Sequence, residues 1–312
     1  MAYSKVGVYG RMQWLLTFVN CVARNSGTYV YYPFAYIVLE QQFLCKQSNV
    51  YHHGSPVYQS CSAEDICQNK DSMVLGRDYI VDESYQYYLK NWYLEMDLMC
   101  MPAKTIGYMI TAYYIGFALG GLFFSMPDKY GRKLSVIFGL VITCVAQIIM
   151  LYYPNYWIRM GTFFMMGLSQ IKNSVSYVWL SESVPLPKKS MAIISISLFD
   201  AIPMAVTCLY FMYISRDWFY LSFFMLILSI LATVCAFICP ESPRWLLVNG
   251  RKEEAIKALN YFARVNGSHY RIPSTANFVE DPTNYQTGPN ADGKKPGAQE
   301  SSAIGRKLDV TN

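Results

Sequence analysis

The chain has 312 residues, of which 53% are hydrophobic and only 15% are charged, and its formal net charge is +5. Soluble domains carry about 25% charged residues, so this composition excludes an ordinary soluble protein. The small positive charge comes from cations that flank apolar runs, and it requires no nucleic-acid partner.

Apolar runs recur along the chain, and each is long enough to cross a bilayer. The hydrocarbon core is about 30 Å thick and takes roughly 20 apolar residues to span as a helix. Backbone polar groups must be satisfied within the segment in lipid, so each run is predicted to be helical. The fold class expected is all-α integral membrane, with six transmembrane helices at about residues 14–39, 106–126, 134–153, 157–180, 191–214 and 218–238.

Lys and Arg residues are distributed unevenly between the two sides of these spans, which predicts the orientation. With residues 1–11 in the cytosol, the short outside loops contain only Arg216, and Arg159 lies just inside the fourth span. The predicted inside segments contain Lys5, Arg11, Lys129, Arg132, Lys133, Lys188, Lys189, Arg244, Arg251, Lys252 and Lys257. Both termini are therefore expected in the cytosol, and residues 12–239 form the membrane bundle.

A long segment at about residues 40–105 separates the first two spans and is expected outside the cell. It contains four cysteines, Cys45, Cys61, Cys67 and Cys100. An even number of cysteines in an oxidising compartment predicts two disulfides, and three pairings are open.

The chain leaves the membrane after the sixth span through "PESPRWLLVNGRKEEAIKALNYFARVNG". Ser242 followed by Pro243 predicts a helix start, and Asn249-Gly250 predicts a stop. A second amphipathic helix should follow, so residues 240–266 are expected to form two cytosolic helices. Residues 267–312 are polar and rich in Gly, Pro, Asn and Ser, which predicts a disordered tail.

Ionisable residues inside predicted spans indicate functional positions, because they are costly in lipid. Lys172 and Asp200 should both lie roughly 15 Å from the cytosolic surface, on neighbouring antiparallel helices. We expect them to face one polar cavity and to pair, either on the substrate pathway or as a structural pair. Arg24 has no evident acidic partner, and Tyr177 is expected beside the same pathway. No catalytic, metal-binding or cofactor motif is present, so an enzyme is not expected.

Four motifs carry a resemblance to a known family: "DKYGRK" between the second and third spans, "PESPRWLL" after the sixth, "YLEMDLMC" at the end of the outer segment, and "YVWLSESVPLPKK" after the fourth. Together they resemble the N-terminal six-helix half of a major facilitator superfamily transporter. The large cysteine-bearing segment favours the organic cation/anion transporter family, which is related to the sugar porters.

This resemblance implies a plasma-membrane protein that moves a small organic ion by alternating access. It also implies a cytosolic charge network that latches the inward gate, formed by Asp128, Lys129, Arg132, Lys133, Glu182, Glu241 and Arg244. Because alternating access needs two halves, the chain is expected to be a fragment, or to act with a second half-transporter or as a homodimer. A sugar porter and a non-transporting regulatory half-protein remain as alternatives.

Overall fold

The computed structural model describes residues 9–52, 55–70, 72–122, 125–274, 276–280 and 308–311, and most of them are helical. The helices of these residues are α1 Arg11–Tyr31, α2 Phe34–Ile37, α3 Ala63–Gln68, α4 Trp92–Glu95, α5 Ala103–Gly121, α6 Met126–Tyr130, α7 Arg132–Tyr152, α8 Tyr156–Leu168, α9 Ile171–Ser183, α10 Leu186–Leu209, α11 Trp218–Ile238, α12 Pro243–Val248 and α13 Lys252–Val265. A π-helical turn, Tyr210–Ile214, continues α10.

Three helical segments in the described ranges have the length and composition to cross a membrane: Arg132–Tyr152, Leu186–Ile214 and Trp218–Ile238. The other predicted spans are less apolar or shorter. Helix α1 carries Arg24 between polar Asn20 and Asn25, and α5 is rich in Tyr and Gly. Polar residues inside α1 therefore make it less apolar than these three segments.

The fourth predicted span, residues 157–180, is not one continuous helix. It divides into α8 and α9 around Ser169 and Gln170. There the backbone bonds tighten, because the Gln170 N–H donates to the Gly167 carbonyl at 3.0 Å and the Lys172 N–H donates to the Ser169 carbonyl at 3.2 Å. The Ser169 hydroxyl also donates to the Met166 carbonyl at 2.7 Å. Such 3₁₀-like bonding within a helix marks a bend or hinge.

Helices α5 and α8 approach so closely that their backbones touch at glycines. A Cβ placed on Gly116 would lie 2.2 Å from the Phe164 carbonyl oxygen, and one on Gly167 would lie 2.0 Å from the Tyr113 carbonyl oxygen. Small residues that allow this approach are typical of helix contacts in membranes, where close packing replaces the hydrophobic effect.

The outer segment folds into a small unit with its own sheet. Strand β1 (Phe43–His52) pairs antiparallel with β2 (Ser55–Cys61) on one side and with β3 (Tyr79–Val81) on the other. One disulfide, Cys45–Cys61, joins β1 to β2. The other, Cys67–Cys100, joins α3 to the 3₁₀ turn at Leu98–Cys100. The sequence left three pairings of these four cysteines open, and the structure contains the pairing Cys45–Cys61 with Cys67–Cys100.

Two helices, α12 and α13, follow the long helix α11. The Ser242 side chain accepts a hydrogen bond from the Trp245 N–H at 3.1 Å, and Pro243 occupies the first helical position of α12. Gly250 follows with a φ of +73°, which only glycine adopts without strain. Helix α13 buries the apolar face that the sequence predicts, made of Ala255, Ile256, Leu259, Phe262 and Ala263.

The prediction of disorder from residue 267 onwards needs correction. Ile272 is buried, and its N–H and carbonyl bond the Asn260 side chain at 2.8 and 3.0 Å. Two further strands, β4 (Asn277–Glu280) and β5 (Leu308–Thr311), pair antiparallel. The chain is ordered at Ile272 because its side chain is buried and its backbone groups bond Asn260 on α13, whereas β4 and β5 are held by each other. Residues 281–307 and 312 lie outside the described residues, as do residues 1–8.

Two apolar clusters hold the bundle together. One lies toward α13 and contains Leu16, Trp179 and Phe262. The other lies toward the outer segment and contains Trp92 and Trp218. Many large apolar side chains on α7, α10 and α11 are exposed, which is the pattern of helices solvated by lipid rather than by water.

Candidate functional site

An ion pair between two helices lies within the bundle. The Nε of Arg24, on α1, donates to both carboxylate oxygens of Asp200, on α10, at 2.7 and 2.6 Å. The two side chains are partly exposed, at 25% and 27%. The sequence offered no partner for Arg24 and assigned Asp200 to Lys172; both expectations were wrong, because residues 176 positions apart are brought together by the packing of α10 on α1.

Tyr177 brings a third helix, α9, to the same pair. Its ring centre lies 4.5 Å from the guanidinium carbon of Arg24, at cation–π distance. Its hydroxyl is 3.0 Å from the Ser197 hydroxyl on α10, which holds the ring in place. We call Arg24, Tyr177, Ser197 and Asp200 the charge-pair cluster. It joins three of the four pathway residues predicted from the sequence.

Lys172, the fourth predicted pathway residue, lies apart from the charge-pair cluster's ion pair. It is fully buried, and its Nζ donates to the Ser169 hydroxyl at 3.0 Å. The Ser169 hydroxyl is in turn 2.9 Å from the Thr143 hydroxyl on α7. No carboxylate pairs with Lys172 in the part of the chain that the structure describes. Lys172 therefore sits beside the bend between α8 and α9, where Gly139 leaves room for its aliphatic stem.

A group of charges lies at the end of the bundle from which α12 leaves. Arg132 pairs with Asp128 at 2.5 Å and lies 3.6 Å from the Glu182 carboxylate. Glu182 also accepts a hydrogen bond from the Ser242 hydroxyl at 2.7 Å. The turn between α6 and α7 is thus linked to the end of α9 and to the start of α12.

Glu241 caps the start of α7 from another part of the chain. Its carboxylate accepts the backbone N–H groups of Arg132 at 3.1 Å, Lys133 at 3.0 Å and Ser242 at 2.9 Å. The first N–H groups of a helix have no partner within it, and a carboxylate also favours the positive end of the helix dipole. Burial raises the pKa of Glu241 above its ordinary value, although these three N–H donors oppose the shift.

The remaining predicted gate residues differ in their contacts. The Lys133 Nζ donates to the Phe237 carbonyl at 2.8 Å, and Lys129 lies over the Tyr130 ring at 5.4 Å. Within the described residues, Arg244 forms no ion pair. Of the predicted gate residues, Asp128, Arg132 and Glu182 are linked by charge contacts, and the backbone N–H groups of Arg132 and Lys133 bond Glu241.

A cavity of about 130 Å³ opens beside this network. It is lined by Pro127, Asp128, Arg132, Ser174, Val175 and Val178. The sequence analysis did not predict it, because Ser174 and Val175 belong to α9 and meet α6 only in the folded bundle.

A second ion pair, between the buried Arg159 and the partly exposed Glu95, joins α8 to the outer segment and was not predicted from the sequence. Arg159 on α8 is 1% exposed and donates to the Glu95 carboxylate at 2.7 Å. Its guanidinium lies 4.5 Å from the Trp92 ring and 5.1 Å from the Trp218 ring. The Trp218 indole N–H donates to the other Glu95 oxygen at 2.7 Å. In the sequence, this ion pair is indicated only by the position of Arg159 at the edge of an apolar run.

Within the described ranges, no group of His, Cys, Asp or Glu side chains has an arrangement that could hold a metal ion.

The chain is similar to known membrane transporters. Residues 2–288 match the family model of the sugar (and other) transporters. The organic cation transporter-like protein of Drosophila melanogaster is 24% identical over 289 residues, covering 85% of this chain and 50% of the relative. The β-alanine transporter of Drosophila melanogaster is 30% identical over 55% of this chain and 29% of the relative.

A human relative, organic cation/carnitine transporter 2 of Homo sapiens, is 28% identical over 65% of this chain and 36% of the relative. The chain thus spans half or less of the length of these relatives. The family model covers most of the chain, so the chain belongs to the sugar (and other) transporter family of the major facilitator superfamily.

Proposed function

We propose that the chain forms a six-helix half of a secondary transporter, which moves a small organic ion by alternating access. The observation that carries this proposal is the Arg24–Asp200 pair, partly open and flanked by Tyr177 inside a membrane bundle. Ionisable residues in such positions mark substrate or ion pathways, because lipid solvates them poorly. Lys172, at the bend between α8 and α9, is proposed to line the same pathway in another conformation. The printed names of the relatives, as organic cation, carnitine and β-alanine transporters, support the substrate class.

The proposed six spans are α1, α5, α7, α8 with α9, α10 and α11. The outer segment then faces the cell exterior, in agreement with its two disulfides, and both termini face the cytosol of a plasma-membrane protein. The Lys and Arg residues of the turns on the opposite side support this orientation.

The cytosolic network is proposed to act as a latch for the inward gate. Arg132 holds Asp128 and approaches Glu182, while Glu241 holds the start of α7. Packed interfaces of this kind have discrete arrangements, so breaking the Arg132 contacts would free α7 from α9 when the bundle rocks. Lys129, Lys133 and Arg244 supply further positive charge on the same side.

Alternating access requires two sets of helices around one site. We therefore propose that these six helices act beside a second set, supplied by another copy or by another half-transporter. Two differently tagged copies that purify together from membranes would support the homodimer. Copies that never purify together would leave the separate half as the partner.

Uptake of labelled compounds tests the function. Cells that express the chain should accumulate a member of a panel of organic cations and anions, and Arg24→Gln should abolish this uptake. Arg251→Gln, which removes an exposed Arg paired with Glu254 at 2.7 Å, is the matched control and should have no effect. Uptake of hexoses alone would favour the sugar porter, and saturable binding without uptake would favour a regulatory half-protein.

A further inference from the structure

The backbone is broken between α8 and α9, and side chains complete the hydrogen bonds that a regular helix would make there. The Met166 carbonyl accepts the Ser169 hydroxyl at 2.7 Å and the Gln170 side-chain amide at 3.2 Å. The Lys172 ammonium donates to the Ser169 carbonyl at 3.4 Å, beside the C-terminal end of α8. Flexible side-chain donors follow a carbonyl through a change of helix angle, so this bend can change its angle while its polar groups stay bonded.

Helix α10 contains a second break. Pro203 lies inside the helix and has no N–H, so it donates no bond to the Phe199 carbonyl. The Thr207 hydroxyl donates to the Pro203 carbonyl at 2.8 Å, a bond of the kind that often bends helices. Sharp kinks in helices occur at such prolines, and Pro203 therefore divides α10 into two parts.

The chain between the two breaks forms one unit, residues 171–202, which we call the hairpin. It contains α9 and the first part of α10, and only Val184 and Pro185 separate the two helices. The hydroxyls of Tyr177 and Ser197, one on each arm, lie 3.0 Å apart and join the arms. The hairpin therefore keeps its own shape when its angle to the rest of the bundle changes.

The segments beyond each break are held in place. Helix α8 touches the backbone of α5 at Gly167, and its Arg159 pairs with Glu95 of the outer segment at 2.7 Å. The end of α10 is tied to the turn that follows it, because the Tyr210 hydroxyl donates to the Asp217 carbonyl at 2.8 Å. A change of angle at the breaks would therefore displace the hairpin and leave these outer ends where they are.

The polar contacts of the hairpin with its neighbours include charged groups, which can exchange partners. Asp200 pairs with Arg24 on α1. Glu182, close to the turn of the hairpin, lies 3.6 Å from Arg132 and accepts the Ser242 hydroxyl at 2.7 Å. Helix α9 also packs on α1 and α7, so the movement is a small shear of packed helices and not a detachment. Large apolar side chains along α10 are exposed, so on that face a shear only exchanges lipid contacts.

We infer that the hairpin swings as one body about the breaks at Ser169–Gln170 and at Pro203, and that this swing opens the end of the bundle from which α12 leaves. The shorter arm, α9, has 13 residues. It is about 20 Å long, so a change of about 20° moves the tip of the hairpin by about 7 Å. The inference goes beyond the proposed function, because it adds a movement within this set of helices to the rocking of the whole set.

Distances between spin labels test the inference. The labels are attached through p-acetylphenylalanine, which leaves the native cysteines unaltered, and the whole chain is measured in lipid nanodiscs by double electron–electron resonance. One pair joins Lys188, exposed near the tip of the hairpin, to Glu253, exposed on α13. The control pair joins Tyr130, exposed on α6, to the same Glu253. We expect two distances about 7 Å apart in the hairpin pair and one distance in the control pair.

Two proline variants separate the hinge from folding. Pro203→Ala restores the missing N–H, so it should remove one of the two distances, raise the melting temperature and reduce uptake by at least about tenfold. Pro187→Ala lies in the first turn of the same helix, where proline is tolerated, and as the matched control it should change none of these. Glu182→Gln removes a charge that holds the hairpin to Arg132, so it should increase the population of the longer distance.

The distances decide the matter separately from uptake. A single hairpin distance in both the unaltered chain and Glu182→Gln would overturn the inference, and so would equal shifts in the two label pairs or two distances that persist in Pro203→Ala. Uptake of an organic ion together with a single hairpin distance would overturn the inference and leave the proposed function standing. Two hairpin distances without uptake of any compound in the panel would support the inference and overturn the proposed function.

Discussion

Glu95 and Arg159 lie 64 residues apart, yet they form a 2.7 Å ion pair at the outer end of the bundle. Arg159 is 1% exposed, and Glu95 also accepts the indole N–H of Trp218. The outer segment, α8 and α11 therefore meet at one buried cation. This contact fixes the outer segment onto the bundle in addition to the chain connections at its two ends.

Glu95→Ala should destabilise the protein by about 3 kcal/mol, because it leaves the buried guanidinium of Arg159 without its anion. Thermal unfolding in detergent measures the loss. Adding Arg159→Met to Glu95→Ala should recover part of it, since the uncompensated charge is then removed. Glu64→Ala, at an exposed position of α3, is the control and should change stability by no more than about 0.5 kcal/mol. Equal losses of stability in Glu95→Ala and Glu64→Ala would contradict the prediction.

Gly131→Ala should disrupt the cap of α7. Gly131 has a φ of +109°, and a Cβ there would lie 2.3 Å from a Glu241 carboxylate oxygen. We expect a loss of at least about 2 kcal/mol from backbone strain and the displaced carboxylate together. Gly250→Ala also has a positive φ, at +73°, but meets no atom within 4 Å, so it reports the strain of a positive φ without a clash. A loss in Gly131→Ala no larger than the loss in Gly250→Ala would contradict the prediction.

Glu241 should also give a pH dependence of stability. Its ordinary pKa is 4.5, and burial raises the pKa in the folded protein. Between these two values the folded state binds more protons than the unfolded state, so stability should fall as pH rises through that interval. Glu241→Gln cannot titrate and should lack this fall. The melting temperatures of the variant and the unaltered protein, compared from about pH 4 to 7, measure the difference. Identical pH profiles would exclude the effect.

Gly167→Ala should separate α5 from α8. The new methyl group would meet the Tyr113 carbonyl, which belongs to a helix backbone and cannot move aside, so we expect a loss of at least about 2 kcal/mol. Gly161→Ala lies on the same helix with no atom within 4 Å, and it should stabilise the protein by up to about 1 kcal/mol. Opposite shifts of the two melting temperatures are the expected result, and shifts of the same sign would contradict it.

Lys172→Met should separate stability from function. Methionine keeps most of the aliphatic stem that packs on Gly139 and removes a buried charge that has no carboxylate partner among the described residues, so stability should hold or increase. Lys172→Ala leaves a cavity and should cost about 2–4 kcal/mol. If Lys172 serves transport, Lys172→Met should lose uptake while its melting temperature is preserved. Full uptake by this variant would assign Lys172 to packing alone.

The sequence predicted what depends on local pattern. Apolar runs predicted α7, α10 and α11, and Ser242, Pro243 and Gly250 predicted the bounds of α12, because caps and stops act within a few residues. It failed where local pattern is ambiguous. The bend at Ser169 lies inside an apolar run, and the packing of Ile272 was hidden in a polar segment.

The sequence by itself determined that this protein is a helical membrane protein, because bilayer thickness and charge asymmetry act on short stretches of chain. Only the tertiary structure decided which charges meet. Arg24 pairs with Asp200 and Arg159 pairs with Glu95, whereas Lys172 donates a hydrogen bond to Ser169. Partners are set by the rotation of each helix about its own axis, and that rotation is fixed by packing between helices distant in sequence.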